Sequence, residues 1–219
     1  LTLAYQESPR RPGQGGGGDG APPSARKQLE RRVRAQRRKL VRQARRDPVA
    51  FAEFVLVDEV SQLPIRCAPI HREWQEFLTA NAWAVLVAPV EHGKTSQLVG
   101  RVLWEIGKNP DIRIGWISLA EEQAFKVVAQ VRRYIEDSAR LHEVFPHLRR
   151  STREGHLWNK HALEVERSPY VRDPTIRGYG SGTKIPGARL DLVICDDVLD
   201  KDNTNTLDAS AKVIEWFDT

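Results

Sequence analysis

The chain has 219 residues, a formal net charge of +5, 40% hydrophobic and 29% charged residues; this is enough for one α/β core of ordinary size with an appendage. No apolar run reaches about eighteen residues and no charged-then-apolar leader opens the chain, so we expect a protein of the cytoplasm. Two cysteines, Cys67 and Cys195, are too few for a disulfide framework, and the six histidines show no zinc-ligand spacing.

The absence of Met, even at position 1, leads us to expect a piece of a longer protein. Residues 1–25, with a glycine run at 15–18, lack apolar periodicity and predict a disordered tail. Residues 26–46 hold eleven Arg or Lys against Glu30 alone, a local excess of ten positive charges that leaves the remainder at −5. Good helix formers and a thin apolar line at Leu29, Val33, Leu40 and Ala44 predict a basic helical arm. Such an arm can meet DNA phosphates or an acidic protein surface; with no aromatic residue in it, any DNA contact would be independent of sequence.

Asp47-Pro48 is a helix start, so the folded domain is expected to span 47–219. Strands are predicted at 83–87, 112–119 and 190–195, with a hairpin around Asn159 and Lys160, and helices at 94–106, at 121–140 and around Val213, Trp216 and Phe217. This alternation predicts an α/β fold: a mostly parallel sheet with helices on both faces.

The strongest chemical signal is Ala88-Pro89-Val90-Glu91-His92-Gly93-Lys94-Thr95, between a predicted strand and a predicted helix. It has phosphate-loop spacing, with Ala88 where the first glycine usually stands. Gly93 lets backbone approach a phosphate, successive N–H groups at the helix start face its charge, Lys94 neutralises the β- and γ-phosphates, and Thr95 offers a hydroxyl to Mg²⁺. Ser96 closes the set of nucleotide-binding candidates. A second signal is the apolar run Leu192-Val193-Ile194-Cys195 ending in Asp196-Asp197. At the C-terminal end of such a strand Asp196 is expected in the Mg²⁺ shell, and Asp197 is expected to orient and polarise the attacking water.

These two motifs resemble, in order and spacing with Trp116-Ile117-Ser118, Gln123-Ala124, Asp173-Pro174-Thr175 through Gly178 and Gly180, Gly187-Ala188-Arg189-Leu190-Asp191 and Glu215-Trp216-Phe217, the large terminase subunits of phages. The resemblance spans roughly residues 48–219. It implies a P-loop NTPase of the RecA-like, additional-strand type, a three-layer sandwich using ATP and Mg²⁺. It further implies a motor that drives double-stranded DNA into a procapsid, working as a homo-oligomeric ring with a portal protein and a small terminase subunit. It makes Pro69-Ile70-His71-Arg72-Glu73-Trp74-Gln75 the adenine side, where Gln75 can donate to and accept from a base edge at once.

Where many terminases carry an arginine at the third loop position this chain has Val90, so Arg189 and Arg177 are the candidates for an arginine finger. The family's coupling motif follows the helix that holds Trp216, on a strand between the phosphate-loop strand and the Asp196 strand, and a nuclease domain follows it. The sequence is expected to stop before both, leaving an open seam in the sheet. Two other readings stay open: another P-loop DNA motor such as a helicase, and a non-hydrolysing P-loop protein that binds DNA through 26–46.

Overall fold

A computed structural model describes residues 23–183, 185, 187–200 and 204–217. The expected tail therefore lies, as far as residue 22, outside the described residues. Helix α1 spans Pro23–Arg46, beginning ahead of the arm predicted from residue 26. The chain divides into two compact units between Arg37 and Arg38. In the first, the described basic side chains are exposed and Glu30 pairs with Arg26 at 3.4 Å.

The second unit starts earlier than the predicted boundary at 47, because the end of α1 is part of the core. Ala44 is fully buried, its carbonyl accepts from Trp104 Nε1 at 3.1 Å, and Arg45 Nε donates to the Val144 carbonyl at 2.6 Å. A methyl side chain at 44 is what lets the indole reach the backbone. Helix α2, Pro48–Val55, starts as the sequence predicts, with Asp47 Oδ1 accepting from Val49 N at 2.9 Å and Pro48 in the first turn. Helices α3 (Pro69–Ala80) and α4 (Lys94–Lys108) follow, then strand β1 (Ile114–Ser118) and helix α5 (Glu121–Asp137). The predicted helix over 121–140 is broken at Ser138, whose hydroxyl accepts from Leu141 N and starts the short helix α6, Ala139–Val144.

Strands β2 (Ala162–Leu163), β3 (Ile176–Gly180) and β4 (Leu192–Asp196) and helix α7 (Leu207–Phe217) complete the described elements. The sheet order is β2-β3-β1-β4, with β1 parallel to both β3 and β4 and β2 antiparallel to β3. The fold is thus α/β with a mixed sheet. All five residues of β1 are buried, and complete removal of Trp116 from water contributes roughly 2–3 kcal/mol.

Strand β3 is not among the predicted strands. The glycines are there because α5 lies against them: a Cβ at Gly178 would come within 3.2 Å of Ala124, and one at Gly180 within 3.2 Å of the Glu121 nitrogen. Register places Trp116, Gly178 and Ile194 on this α5-covered face, and Gly115, Arg177 and Val193 on the other. On that other face Val193 is 49% exposed and Cys195 is also exposed, so the expected helical cover on both faces is not seen at β4 among the described residues.

The largest departure is the run 83–87, predicted as the strand that feeds the phosphate loop. It takes no place in the sheet, and Trp83, Val85 and Val87 are 94%, 82% and 91% exposed. Among the described residues β4 is an edge strand paired with β1 alone, and 83–87 does not pair with its outer edge. Among the described residues no helix is long and apolar enough to cross a membrane.

Candidate nucleotide and metal site

Helix α4 presents eight buried residues to the core, from Gln97 to Gly107, and this packing fixes where its first turn points. Gly93 stands at the N-cap with φ +74°, a left-handed conformation that suits glycine, and the helix start has no side-chain cap. Its first N–H groups are therefore left to an external acceptor. Glu91 also has positive φ, +63°, so two left-handed residues shape the loop.

Thr95 and Asp196, 101 residues apart in sequence, meet directly: Thr95 Oγ1 donates to Asp196 Oδ2 at 2.9 Å. The hydroxyl sits one residue into α4 and the carboxylate ends β4, so the contact joins the loop to the C-terminal tip of the sheet. Burial pushes the Asp196 carboxyl above its ordinary value and the neighbouring Asp197 charge adds to this, while the Thr95 hydrogen bond and Lys94 oppose it. Asp197 is exposed with φ +49°, which turns the chain sharply as it leaves β4.

Lys94 Nζ donates to the Ala88 carbonyl at 2.7 Å and reaches the Pro89 carbonyl at 3.5 Å, so its ammonium lies folded across the mouth of its own loop. An incoming anion would draw it off those neutral carbonyls. Pro89, Val90, Glu91, His92 and Ser96 are exposed, whereas Ala88 is half-buried. His92 Nδ1 contacts the Val90 carbonyl at 2.9 Å, a tie within the loop.

Three predicted site residues stand elsewhere. Gln75 is 1% exposed, and its amide donates to the Gln97 carbonyl at 3.1 Å, with Gln97 Oε1 at 3.4 Å. Arg101 reaches Gln75 Oε1 at 3.5 Å, so both ends of the amide are engaged on α4. Gln75 here fastens α3 to α4 instead of facing a base, because its position falls on the buried stripe of α3 beside Trp74. Arg177 lies three register steps before the Asp196 level, on the face away from α5. Arg189 hydrogen-bonds through its backbone N–H to Asp173 Oδ2 at 3.3 Å, beyond the entry of β3. Among the described residues neither guanidinium has a hydrogen bond or ion pair to the loop at 88–95.

His71, placed by the sequence only within the adenine-side segment and assigned no role there, stands at the site. Its Nδ1 accepts from the Ala68 N–H at 3.2 Å, and its Nε2 stands 3.0 Å from the His92 carbonyl, linking the start of α3 to the loop ahead of α4. The signal that could have found it is Ala68-Pro69-Ile70-His71: a helix start whose N-cap has no side-chain acceptor, followed at the third position by one that does.

A hydroxyl and a carboxylate within hydrogen-bonding distance, beside a helix N-terminus, suit a small hard cation that retains waters and phosphate oxygens as its other ligands. Among the described residues no group of three or more His, Cys, Asp or Glu could hold a metal ion, so the protein alone supplies only part of a coordination shell. No protein-family model and no curated protein matches this chain.

Proposed function

We propose that the chain is the ATP-hydrolysing part of a DNA-packaging motor of the large terminase kind, a P-loop NTPase of RecA-like, additional-strand type. The observation that carries this reading is the 2.9 Å contact between Thr95 and Asp196, at the junction of an uncapped helix start and a sheet tip. A triphosphate would take the free N–H groups of the loop and draw Lys94 from the Ala88 carbonyl. Thr95 and Asp196 would then turn their oxygens to Mg²⁺, which would supply neutralisation of phosphate charge. Asp197, exposed at the turn, would orient and polarise the attacking water. Arg177 and Arg189 stay in the proposal only as groups offered to a neighbouring subunit of a ring.

The run 83–87 and the outer edge of β4 support the same reading in another way. Both are apolar, both are unpaired on the sides described above, and both lead to the Thr95–Asp196 contact. A strand lying between them would complete the sheet, and that is where the resemblance puts the coupling strand that converts hydrolysis into DNA movement. Portal protein, small terminase subunit and double-stranded DNA enter as partners through the resemblance alone.

The test of nucleotide use is equilibrium binding of ATP with Mg²⁺ to the wild-type chain and to Lys94→Ala. Loss of binding in the variant supports the reading, and unchanged binding sinks it. The exposed basic residues of α1 favour a second activity, sequence-independent DNA binding, whether or not ATP is hydrolysed. Replacing Arg31, Arg32, Arg34 and Arg37 with Ala should flatten the slope of log affinity against log salt by up to about 3.6, near 0.9 for each phosphate no longer neutralised. An unchanged slope would assign the arm to a partner other than nucleic acid.

A further inference from the structure

We propose that His71 is a positioning residue that holds the phosphate loop in its anion-ready shape and ties it to helix α3; this rests on the nucleotide-site reading above. The tautomer follows from the two hydrogen bonds. Nδ1 faces a backbone N–H, the Ala68 donor at 3.2 Å, so it carries a lone pair and no proton. A neutral ring must then hold its proton on Nε2, which donates to the His92 carbonyl at 3.0 Å. The ring therefore bridges a fixed donor on α3 to a fixed acceptor in the loop, and neither bond can be reversed.

The carbonyl it holds is the one that precedes Gly93. In a trans peptide the C=O and the following N–H point in opposite directions. Because the His92 carbonyl is turned to α3, the Gly93 N–H points away from α3, and among the described residues it has no hydrogen-bond acceptor. The ring also stands over the glycine itself: a Cβ at Gly93 would lie 3.7 Å from His71 Nε2. Trp74, one turn along α3, packs against the imidazole with ring centroids 5.2 Å apart, which limits its rotation. His71 thus sets one loop peptide in the sense that offers N–H to phosphate, and α3 is the element that would register whether the loop is filled.

The test compares ATP affinity, with Mg²⁺ present, in the full chain carrying His71→Ala, His71→Asn, His71→Gln or Lys94→Ala, with a melting curve for each. Gln places an amide donor near the Nε2 position; Asn keeps an acceptor near Nδ1 and lacks that donor. Affinity should fall about fivefold in the Ala and Asn variants, as expected for removal of one hydrogen bond, and return to within about twofold of wild type in the Gln variant. A Gln variant that melts like wild type yet binds as weakly as the Ala variant overturns the positioning role. So does wild-type affinity in both the Ala and Asn variants while Lys94→Ala loses binding, an outcome that leaves the nucleotide reading standing. Unchanged binding in Lys94→Ala defeats the nucleotide reading and the role of His71 together. If the Ala variant does not fold, the Gln and Asn pair decides: a tighter Gln variant supports the role and equal affinities overturn it.

Discussion

The two ends of the parallel strands treat charge in opposite ways. At the entry end Arg113 grips Asp191 with Nη2 and Nε at 2.6 and 2.8 Å, and its backbone N–H adds a third bond to the same carboxylate at 2.9 Å. Nearby, the buried Arg167 contacts Glu164 at 3.6 Å and donates to the Asp173 carbonyl. At the exit end Asp196 receives one hydroxyl, Asp197 is exposed, and Lys94 is turned to neutral carbonyls. Charge satisfied within the fold serves stability, whereas charge left with a single weak partner beside uncapped N–H groups is suited to a ligand.

The largest effect that would sharpen this contrast lies at the exit end. In the proposed reading Lys94→Ala removes a charge-assisted interaction worth about 3 kcal/mol, which lowers ATP affinity by roughly a hundredfold with little change in melting temperature. An equal loss of affinity from Arg113→Ala would erase the distinction between the ends. Arg113→Ala should instead lower the melting temperature slightly, since the pair is partly exposed and screened, and leave ATP affinity unchanged.

The pH dependence of the two carboxylates should differ in sign. Arg113 holds Asp191 below its ordinary value of 3.8, so its contribution to stability is present above that pH and is lost as pH falls through the lowered value. Burial holds Asp196 above 3.8, so its contribution is present below that pH and is lost as pH rises through the raised value. Without metal at neutral pH, Asp191→Asn should therefore lower the melting temperature, and Asp196→Asn should raise it slightly. Shifts of the same sign in both variants would break the comparison.

Much of the exit end is legible in the sequence, because each half of it is a local pattern. Gly93-Lys94-Thr95 opens a helix with a strong apolar face, and four apolar residues before Asp196 make a strand whose end is fixed by its own polarity. What is not legible depends on partners distant in sequence. The glycines of β3 have meaning only once α5 lies on them, and Gln75 looks available until α4 packs against it. The run 83–87 has strand composition, but composition supplies no partner, and among the described residues the sheet ends at β4. His71 falls within the adenine-side segment of the sequence, but its tie to the loop is missed there, because its two partners are a backbone N–H and a backbone carbonyl, which no side-chain motif reveals.

Thr95 and Asp196 are proposed to act together on a cation held against a triphosphate, and the rest of the mechanism depends on that pairing. The decisive measurement is ATP affinity with Mg²⁺ and with a chelator, in wild type and in Asp196→Asn. We predict that Mg²⁺ tightens binding in wild type, and that the variant keeps its Mg²⁺-free affinity but loses most of that gain. A full Mg²⁺ dependence in Asp196→Asn would contradict the proposed role.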